Sequence, residues 1–243
     1  MLKLKNISVK VENQEILKDL TQDFNVPIGK FFVLFGPNGS GKSTLFRAVM
    51  GFSKYEVRGD ILLNGKRLNN LTIDERTRKG LAYMYQTPPS LKGVKPENII
   101  KESIGEEIFS SEYSKDADIL DAMRFYKRDI NVGFSGGEVK RSELLSLAML
   151  PNTKVFLFDE PDSGVDLDNL KKIGEYMGKL LEKKKAIGII VTHSGDILKY
   201  IDAHIGAVIY DGKIACEGDP HKILKCIKKD GYKRCVNCKE KII

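Results

Sequence analysis

The segment KFFVLFGPNGSGKSTLFRAVM, residues 30–50, decides the fold. Residues 30–35 are apolar after the first position, which is typical of a parallel strand buried on both faces. Residues 42–50 carry apolar side chains at helical spacing. Because glycines separate the two parts, the segment predicts a strand, a glycine-rich loop and a helix in succession.

The glycine-rich loop matches the pattern G-x-x-x-x-G-K-[S/T], and its place between a buried strand and a helix predicts phosphate binding. Glycines let backbone N–H groups curl around phosphates, and the helix start adds a favourable dipole. We expect Lys42 to contact the β- and γ-phosphates, and Ser43 to offer its hydroxyl to Mg²⁺. The predicted nucleotide-binding residues here are Gly36, Pro37, Asn38, Gly39, Ser40, Gly41, Lys42, Ser43 and Thr44.

A second apolar strand, VFLFDE at residues 155–160, ends in two carboxylates. Ligands of open α/β sheets bind at the carboxyl ends of the strands, and strand alternation points the two side chains in different directions. We therefore predict that Asp159 holds Mg²⁺ through water and that Glu160 polarises the water that attacks the γ-phosphate. A solvated strand end is the alternative.

The segment NVGFSGGEVKR, residues 131–141, predicts a second anion-binding element. Ser135, Gly136 and Gly137 open a helix, whose first N–H groups can bind an anion. Taken alone, the same pattern fits a plain helix cap.

Strand and helix patterns alternate along most of the chain, which predicts an α/β fold with a central parallel sheet. Strands before residue 30 lie outside the alternation and predict a smaller antiparallel sheet. Residues 88–129 lack strand periodicity and predict two or three helices in an inserted subdomain. The remaining predicted strands are residues 16–26, 60–63, 81–85, 154–158, 186–191 and 207–214, the last with a turn, and the predicted helices are 74–79, 136–150 and 166–181.

The net charge of +7 is concentrated in the tail, residues 222–243, which holds eight Lys and Arg residues against Asp230 and Glu240. We expect a solvated basic tail, with an acidic partner or an anionic surface as the alternative. The nearly neutral body gives no reason to expect nucleic acid as a partner. All apolar runs are far shorter than the roughly 18 residues that span a bilayer, so we expect a cytoplasmic protein without membrane insertion.

All four cysteines lie near the end of the chain, and Cys235 and Cys238 form a C-x-x-C pattern. This spacing suggests zinc, an iron–sulfur centre or redox exchange, with His221 and Cys226 as a candidate second ligand pair. Ordinary reduced thiols are the alternative.

Taken together, the motifs resemble those of ATPase subunits of the ABC superfamily, in the family's order and over nearly the whole chain. The resemblance implies a P-loop NTPase fold and Mg-dependent ATP hydrolysis. It covers the Walker A loop at residues 36–44, the Q-loop at Gln86, the signature motif at residues 135–138, the Walker B strand at residues 155–160, the D-loop at residues 163–166 and the switch histidine at His193.

The resemblance implies that two copies pack head to tail, with each ATP between the glycine loop of one copy and Ser135–Gly137 of the other. It further implies that Lys42, Gln86, Glu160 and His193 form the catalytic set. In it, His193 contacts the γ-phosphate, Gln86 reaches Mg²⁺ beside Ser43 and Asp159, and Asp166 belongs to the nucleotide site. One departure is Val11, where many members carry an adenine-stacking aromatic ring; Phe24 or another aromatic residue is the candidate substitute.

Within the superfamily, four stretches resemble the SufC family of iron–sulfur cluster assembly ATPases: residues 54–65, 131–141, 161–168 and 193–201. The segment between Gln86 and Ser135 is shorter than is usual in that family, and the cysteine tail is not part of its pattern. This resemblance implies soluble SufB and SufD partners that bind over the helical subdomain. Residues 1–243 would then form one ABC ATPase domain, with the subdomain at about residues 88–150. A membrane-transporter ATPase, and a non-enzymatic ATP-gated scaffold, are the alternatives.

Overall fold

Two β-sheets form the framework of the chain. The computed structural model describes residues 1–105, 109, 113–125 and 127–237. One sheet has four strands in the order β2-β1-β4-β5, and the other has six in the order β10-β9-β3-β8-β7-β6. The strands are β1 Leu2–Val11, β2 Gln14–Phe24, β3 Phe31–Phe35, β4 Glu56–Leu63, β5 Lys66–Arg67, β6 Leu81–Met84, β7 Val155–Asp159, β8 Ile187–Val191, β9 Ala203–Tyr210 and β10 Lys213–Gly218.

The six-stranded sheet is parallel from β9 to β6, and β10 pairs antiparallel with β9 at its edge. The predicted central parallel sheet is therefore confirmed. The predicted glycine loop follows β3, which lies between β8 and β9, so the loop starts in the middle of the sheet. The carboxyl ends of β3, β6, β7 and β8 meet at one edge, where ligands bind in folds of this class.

Both faces of this sheet are covered, and β3 shows why its sequence is continuously apolar. Phe31, Val33 and Phe35 pack into one hydrophobic cluster, and Phe32 and Leu34 pack into another on the opposite face. All five side chains are at most 1% exposed. Each such burial contributes about 2 kcal/mol, so a polar substitution at any of them would destabilise the centre of the fold.

The four-stranded sheet is antiparallel and confirms the predicted N-terminal sheet. The first strand, β1, pairs with β2 and with β4, with Leu2 opposite both Phe24 and Leu63. Strand β2 begins at Gln14, two residues earlier than predicted, because the chain turns at Glu12 and Asn13, both at positive φ.

The helices lie on the two faces of the six-stranded sheet or follow its strands. The predicted helix after the glycine loop is confirmed, and the described part of the chain between β6 and residue 130 contains two helices, within the predicted insertion. A short 3-10 helix at Asp196–Lys199 was not predicted. The α-helices are α1 Lys42–Met50, α2 Ile73–Arg78, α3 Pro96–Ile104, α4 Ser114–Ile119, α5 Gly136–Met149, α6 Leu167–Lys184, α7 Pro220–Asp230 and α8 Tyr232–Asn237.

The first part of the predicted basic tail folds into α7 and α8, and its described Lys and Arg side chains are exposed. Asp219 caps α7 through a hydrogen bond from the backbone N–H of Lys222, and Ile223 is fully buried. Leu224 and Ile227 pack against the core from the same helix. The many lysines concealed this amphipathic pattern, because only the outer face of α7 is basic. No helix in the described part of the chain is long and apolar enough to cross a membrane.

Candidate nucleotide site

The glycine loop connects the end of β3 to the start of α1. Gly41 precedes the helix with φ of 101°, and a Cβ atom there would lie 2.5 Å from Cδ2 of Leu17. Glycine is therefore required at this position. None of the described side chains caps the start of α1. Its first backbone N–H groups are thus available to an anion, as the sequence predicts.

Lys42 lies inside the loop with only 5% of its surface exposed. Its Nζ donates hydrogen bonds to the carbonyl oxygens of Gly36 at 2.8 Å and Pro37 at 2.9 Å. Burial lowers the pKa of Lys42 to about 8, although the carboxylates of Glu160 and Asp159 act in the opposite direction. The loop therefore holds a cation beside the space that it encloses.

Asp159 ends β7 and is completely buried. It has the same strand parity as Val155 and Leu157, which pack on the α1 side of the sheet, so its carboxylate points toward the glycine loop. Oδ1 accepts a hydrogen bond from the hydroxyl of Ser43 at 3.0 Å, and Oδ2 accepts one from the hydroxyl of Tyr83 at 2.9 Å. Burial raises the pKa of Asp159, and the two hydroxyl donors oppose that rise.

The Ser43 and Asp159 oxygens fit a magnesium ion that is shared with phosphates. Mg²⁺ is commonly bound through one or two carboxylates together with substrate oxygens and water. Among the described residues, no group of three or more His, Cys, Asp or Glu side chains could hold a metal by itself. The donor set therefore suits a cation that arrives with a nucleotide.

Glu160 turns away from the strand direction because its backbone has φ of 51°. Its Oε2 accepts a hydrogen bond from Nε2 of Gln86 at 2.7 Å, and its Oε1 lies 2.7 Å from Nε2 of His193. Only 8% of Glu160 is exposed. The structure thus brings together three residues that are 74 and 33 positions apart in the sequence.

A cavity of about 730 Å³ opens in front of these groups. It joins the glycine loop to the Glu160 cluster. Its lining residues are Ile16, Asn38, Gly39, Gly41, Lys42, Ser43, Thr44, Gln86, Glu160, Ser163 and His193.

Ser135, Gly136 and Gly137 are not among the described residues that line this cavity. Ser135 caps α5: its Oγ accepts a hydrogen bond from the N–H of Glu138 at 3.4 Å, and Oε2 of Glu138 accepts one from the N–H of Ser135 at 3.0 Å. Oε1 of Glu138 pairs with Arg124 at 2.9 Å. Asp166 likewise caps α6 through the N–H of Asn169 at 2.9 Å.

Phe24, the suggested adenine-stacking residue, is wrong for that role. It is 1% exposed and packs edge-on against Phe32 in the core, with ring centroids 4.9 Å apart. Val11 is partly buried against the same cluster. Among the described lining residues no aromatic side chain is present, and Ile16 supplies an apolar contact instead.

Sequence reasoning missed Lys140 and Glu143, which tie α5 to the backbone around Gln86. Nζ of Lys140 donates to the carbonyl oxygens of Tyr85 and Gln86, both at 2.8 Å. Oε1 of Glu143 accepts from the N–H of Tyr85 at 2.7 Å. Burial raises the pKa of Glu143 to about 7 and lowers that of Lys140. The sequence did contain a signal for this contact, because Lys140 and Glu143 are opposite charges three residues apart and therefore lie on the same face of the predicted helix.

The cysteine prediction is not tested, since Cys238 lies outside the described residues. Cys226 is half-buried and packs against the core from α7, whereas His221 is exposed. Zinc or an iron–sulfur centre at Cys235 and Cys238 therefore stays a prediction.

Comparison with known proteins shows the family of this chain. Residues 20–163 match the family model described as ABC transporter. The chain is 34% identical over 245 residues to "Vegetative protein 296" of Bacillus subtilis, which covers 95% of this chain and 91% of the relative. It is also 34% identical over 251 residues to "Probable ATP-dependent transporter SufC" of Escherichia coli, which covers 96% of this chain and 97% of the relative.

Solved structures give the same result. A nucleotide-free ATP-binding cassette from an ABC transporter is similar with a TM-score of 0.78 and 27% identity, over 97% of this chain and 98% of that chain. The ADP conformation of such a cassette is similar with a TM-score of 0.75 and 28% identity, over 99% of both chains. The family match, the relatives and the shared fold show that this chain belongs to the ABC family and is an ATPase of that type.

Proposed function

We propose that the chain binds Mg-ATP in the 730 Å³ cavity, hydrolyses it between two copies of itself, and uses this cycle to move a SufB/SufD-type scaffold for iron–sulfur cluster assembly. The observation that supports the catalytic part best is that Lys42, Ser43 and Glu160 line one cavity, with Asp159 hydrogen-bonded to Ser43 behind its wall. Lys42, Asp159 and Glu160 each have the charge and the position that phosphoryl transfer requires.

Glu160 is the proposed base for the attacking water. Its two oxygens are held by Gln86 and His193, each at 2.7 Å, so the carboxylate has a fixed orientation. A general base must be positioned within hydrogen-bond reach of the proton that it takes. Gln86 and His193 are proposed to keep Glu160 in place, and His193 also to contact the γ-phosphate.

Lys42, the loop amides and the helix start are proposed to bind the triphosphate. Ser43, Asp159 and Gln86 would hold Mg²⁺, which supplies charge neutralisation on the phosphates when bound. When ATP is present, Lys42 would exchange the carbonyl oxygens of Gly36 and Pro37 for phosphate oxygens.

Two copies are proposed to act together because the second anion-binding element lies outside the cavity of its own chain. Ser135, Gly136 and Gly137 would cap the ATP held by the other copy. Asp166 and Ser163 follow the Walker B strand and would line the same contact. Gly136 lies against this segment, since a Cβ atom there would be 2.3 Å from the carbonyl oxygen of Gly164.

The Suf-type role rests on the four stretches that resemble SufC and on the similarity to the Escherichia coli SufC protein. We propose the helical segment, at about residues 88–150, as the partner-binding subdomain. Between α3 and α5 it carries an apolar groove of about 270 Å³. Ile99 in this groove is 46% exposed and lies beside other apolar lining residues, so the groove offers apolar surface that a partner can cover.

A membrane-transport ATPase is the second candidate. Streptococcus pyogenes relatives that are 34% identical over 96% of this chain are named as probable ABC transporter ATP-binding proteins. A permease would bind the same groove by a short helix, so the groove alone does not separate the two functions.

Co-purification of the tagged chain with SufB- and SufD-type proteins from the same genome tests the proposal. We expect a stoichiometric soluble complex, and we expect Ile99→Glu to lose it while keeping ATP binding. Ile28→Glu is the matched control, because Ile28 is 60% exposed and lies outside the groove. Recovery of a membrane permease in place of these proteins would favour the transport function.

A further inference from the structure

We infer that Tyr83 is a positioning residue for the magnesium ligand Asp159: its hydroxyl holds one carboxylate oxygen so that the other faces Ser43 and the glycine loop. The inference rests on the proposed role of Asp159. It is carried by the hydrogen bond from the Tyr83 hydroxyl to Oδ2 of Asp159 at 2.9 Å, inside the protein.

The ring of Tyr83 is fixed by its surroundings. It lies on β6, and the residue is 5% exposed. Phe46 and Phe52 meet the ring edge-on, with centroids 6.3 Å and 6.2 Å away, and Tyr85 lies at 4.6 Å. A ring that is packed on several sides cannot swing its hydroxyl away, so the donor stays where Asp159 needs it.

A positive charge lies behind this donor. The Arg47 guanidinium donates to the hydroxyl of Tyr55 at 3.1 Å. Burial raises the pKa of Tyr83, and the charge of Arg47 acts against that rise. A cation beside a phenol polarises its O–H bond and strengthens the hydrogen bond that it donates. A cation on α1 thus acts on the phenol whose hydroxyl holds the carboxylate of Asp159.

The two oxygens of Asp159 have separate partners. Tyr83 holds Oδ2, which leaves Oδ1 on the side of Ser43, whose hydroxyl is the other proposed protein oxygen for the cation. Without the phenol, a completely buried carboxylate loses a donor and its fixed orientation. A lost hydrogen bond to a charged group corresponds to about a tenfold to hundredfold change in an equilibrium constant.

Magnesium titration of nucleotide binding tests the inference on Tyr83→Phe, which removes the hydroxyl and keeps the ring. Binding of a fluorescent ATP analogue is followed as free Mg²⁺ is raised. We expect the half-saturating Mg²⁺ concentration to rise about tenfold, because of the lost hydrogen bond, while binding without Mg²⁺ is unchanged. A merely structural role would weaken both kinds of binding together.

Tyr85→Phe is the matched control. Tyr85 belongs to the same group of packed aromatic rings, and its hydroxyl makes no hydrogen bond among the described residues. Asp159→Asn separates the two claims. If Asp159→Asn leaves the Mg²⁺ dependence unchanged, the proposed magnesium site is wrong. If Asp159→Asn shifts the Mg²⁺ dependence while Tyr83→Phe and Tyr85→Phe show the same Mg²⁺ dependence, the proposed role of Tyr83 is wrong.

A second variant, Arg47→Met, keeps Tyr83 but removes the positive charge near its hydroxyl. This should weaken the hydrogen bond that Tyr83 donates to Asp159. We expect a shift in the Mg²⁺ requirement in the same direction but smaller than that of Tyr83→Phe. It also serves if thermal melting shows that Tyr83→Phe does not fold. An unchanged Mg²⁺ requirement in Arg47→Met together with an unfolded Tyr83→Phe would overturn the inference.

Discussion

The glycine loop at Gly36–Thr44 and the start of α5 at Ser135–Gly137 are both helix N-termini with the sequence features of anion sites, yet they differ in their surroundings. The loop lies beside a buried lysine and two carboxylates and faces a large cavity. The start of α5 lines no part of that cavity, and its own Glu138 already caps it.

This difference indicates which of the two elements would need a second copy of the chain to reach a nucleotide. The loop has charges placed for a triphosphate and a metal, so one chain can bind a nucleotide there. At the other element, Glu138 occupies the N–H of Ser135 and is itself paired with Arg124. Because this helix start lies outside the cavity of its own chain, we propose that it would contribute to catalysis only when another copy brings a phosphate to it.

The largest expected effect concerns Glu160, which lies in the cavity that the glycine loop faces. Glu160→Gln keeps the size of the side chain and one of its two acceptor oxygens but removes the base, so turnover should fall about a thousandfold, within the range for general base catalysis. ATP binding should persist, and a nucleotide-bridged dimer should accumulate on size exclusion. Glu175→Gln, which changes an exposed carboxylate on α6, is the control. Phosphate release at the parental rate in Glu160→Gln would show that another group is the base.

Removal of the loop cation should have the next largest effect. Lys42→Ala removes the ammonium group that would exchange the carbonyl oxygens of Gly36 and Pro37 for phosphate oxygens. It is expected to weaken ATP binding about a hundredfold, because charged hydrogen bonds to the phosphates are lost. Isothermal calorimetry measures this directly. Lys79→Ala, at an exposed position after α2, should bind ATP normally. Unchanged affinity in Lys42→Ala would contradict the assignment of the loop.

The other side of the comparison is tested by Gly136→Ala, which adds one methyl group. That atom would lie 2.3 Å from the carbonyl oxygen of Gly164, so the start of α5 must shift. We expect ATP affinity of the single chain to be unchanged and turnover to fall about tenfold, as expected from misplacing a group that orients the reaction.

Gly178→Ala is the matched control for that variant, because no atom lies within 4 Å of the added methyl group. Combining each glycine variant with Glu160→Gln gives a direct readout of pairing. The dimer should be lost with Gly136→Ala and kept with Gly178→Ala. If both form the dimer equally well, the start of α5 does not take part in the contact between copies.

Short-range patterns predicted much of this molecule. The strand, loop and helix at residues 30–50 were predictable because burial on both faces and glycine spacing leave few alternatives. The central parallel sheet followed from alternation, and the fold class is confirmed. The meeting of Gln86, Glu160 and His193 was implied only by family resemblance, since no local pattern relates residues that are so far apart.

Contacts that depend on packing were not predictable. Phe24 looked like a candidate base-stacking ring because its sequence position says nothing about which face of β2 it occupies. Tyr83 looked like one more apolar strand residue, and only the pairing of β6 with β7 places its hydroxyl beside Asp159. The buried face of α7 was missed because the lysines dominate the composition of this segment, whereas Ile223 lies on the side of the helix that packs against the core.

The smallest expected effect is a proton taken up by the loop when ATP binds. Lys42 has a pKa of about 8 in the nucleotide-free chain, lowered from 10.5 mainly by burial, so part of it is neutral above pH 7. Phosphates beside Nζ favour the charged form and raise this pKa again. Binding should therefore take up about half a proton at pH 8 and about a tenth at pH 7, and affinity should fall as pH rises through 8.

Calorimetry in two buffers of different ionisation enthalpy at pH 8 measures that uptake, because the buffer that supplies the proton adds its own heat. Lys42→Arg is the control, since a guanidinium stays charged at this pH and should abolish the buffer dependence. The start of α5 has no buried lysine of this kind in its cap, so Gly136→Ala should leave the uptake unchanged. Equal heats in both buffers for the parental chain would mean that Lys42 is already fully charged before ATP binds. The loop would then take up no proton when it binds phosphate.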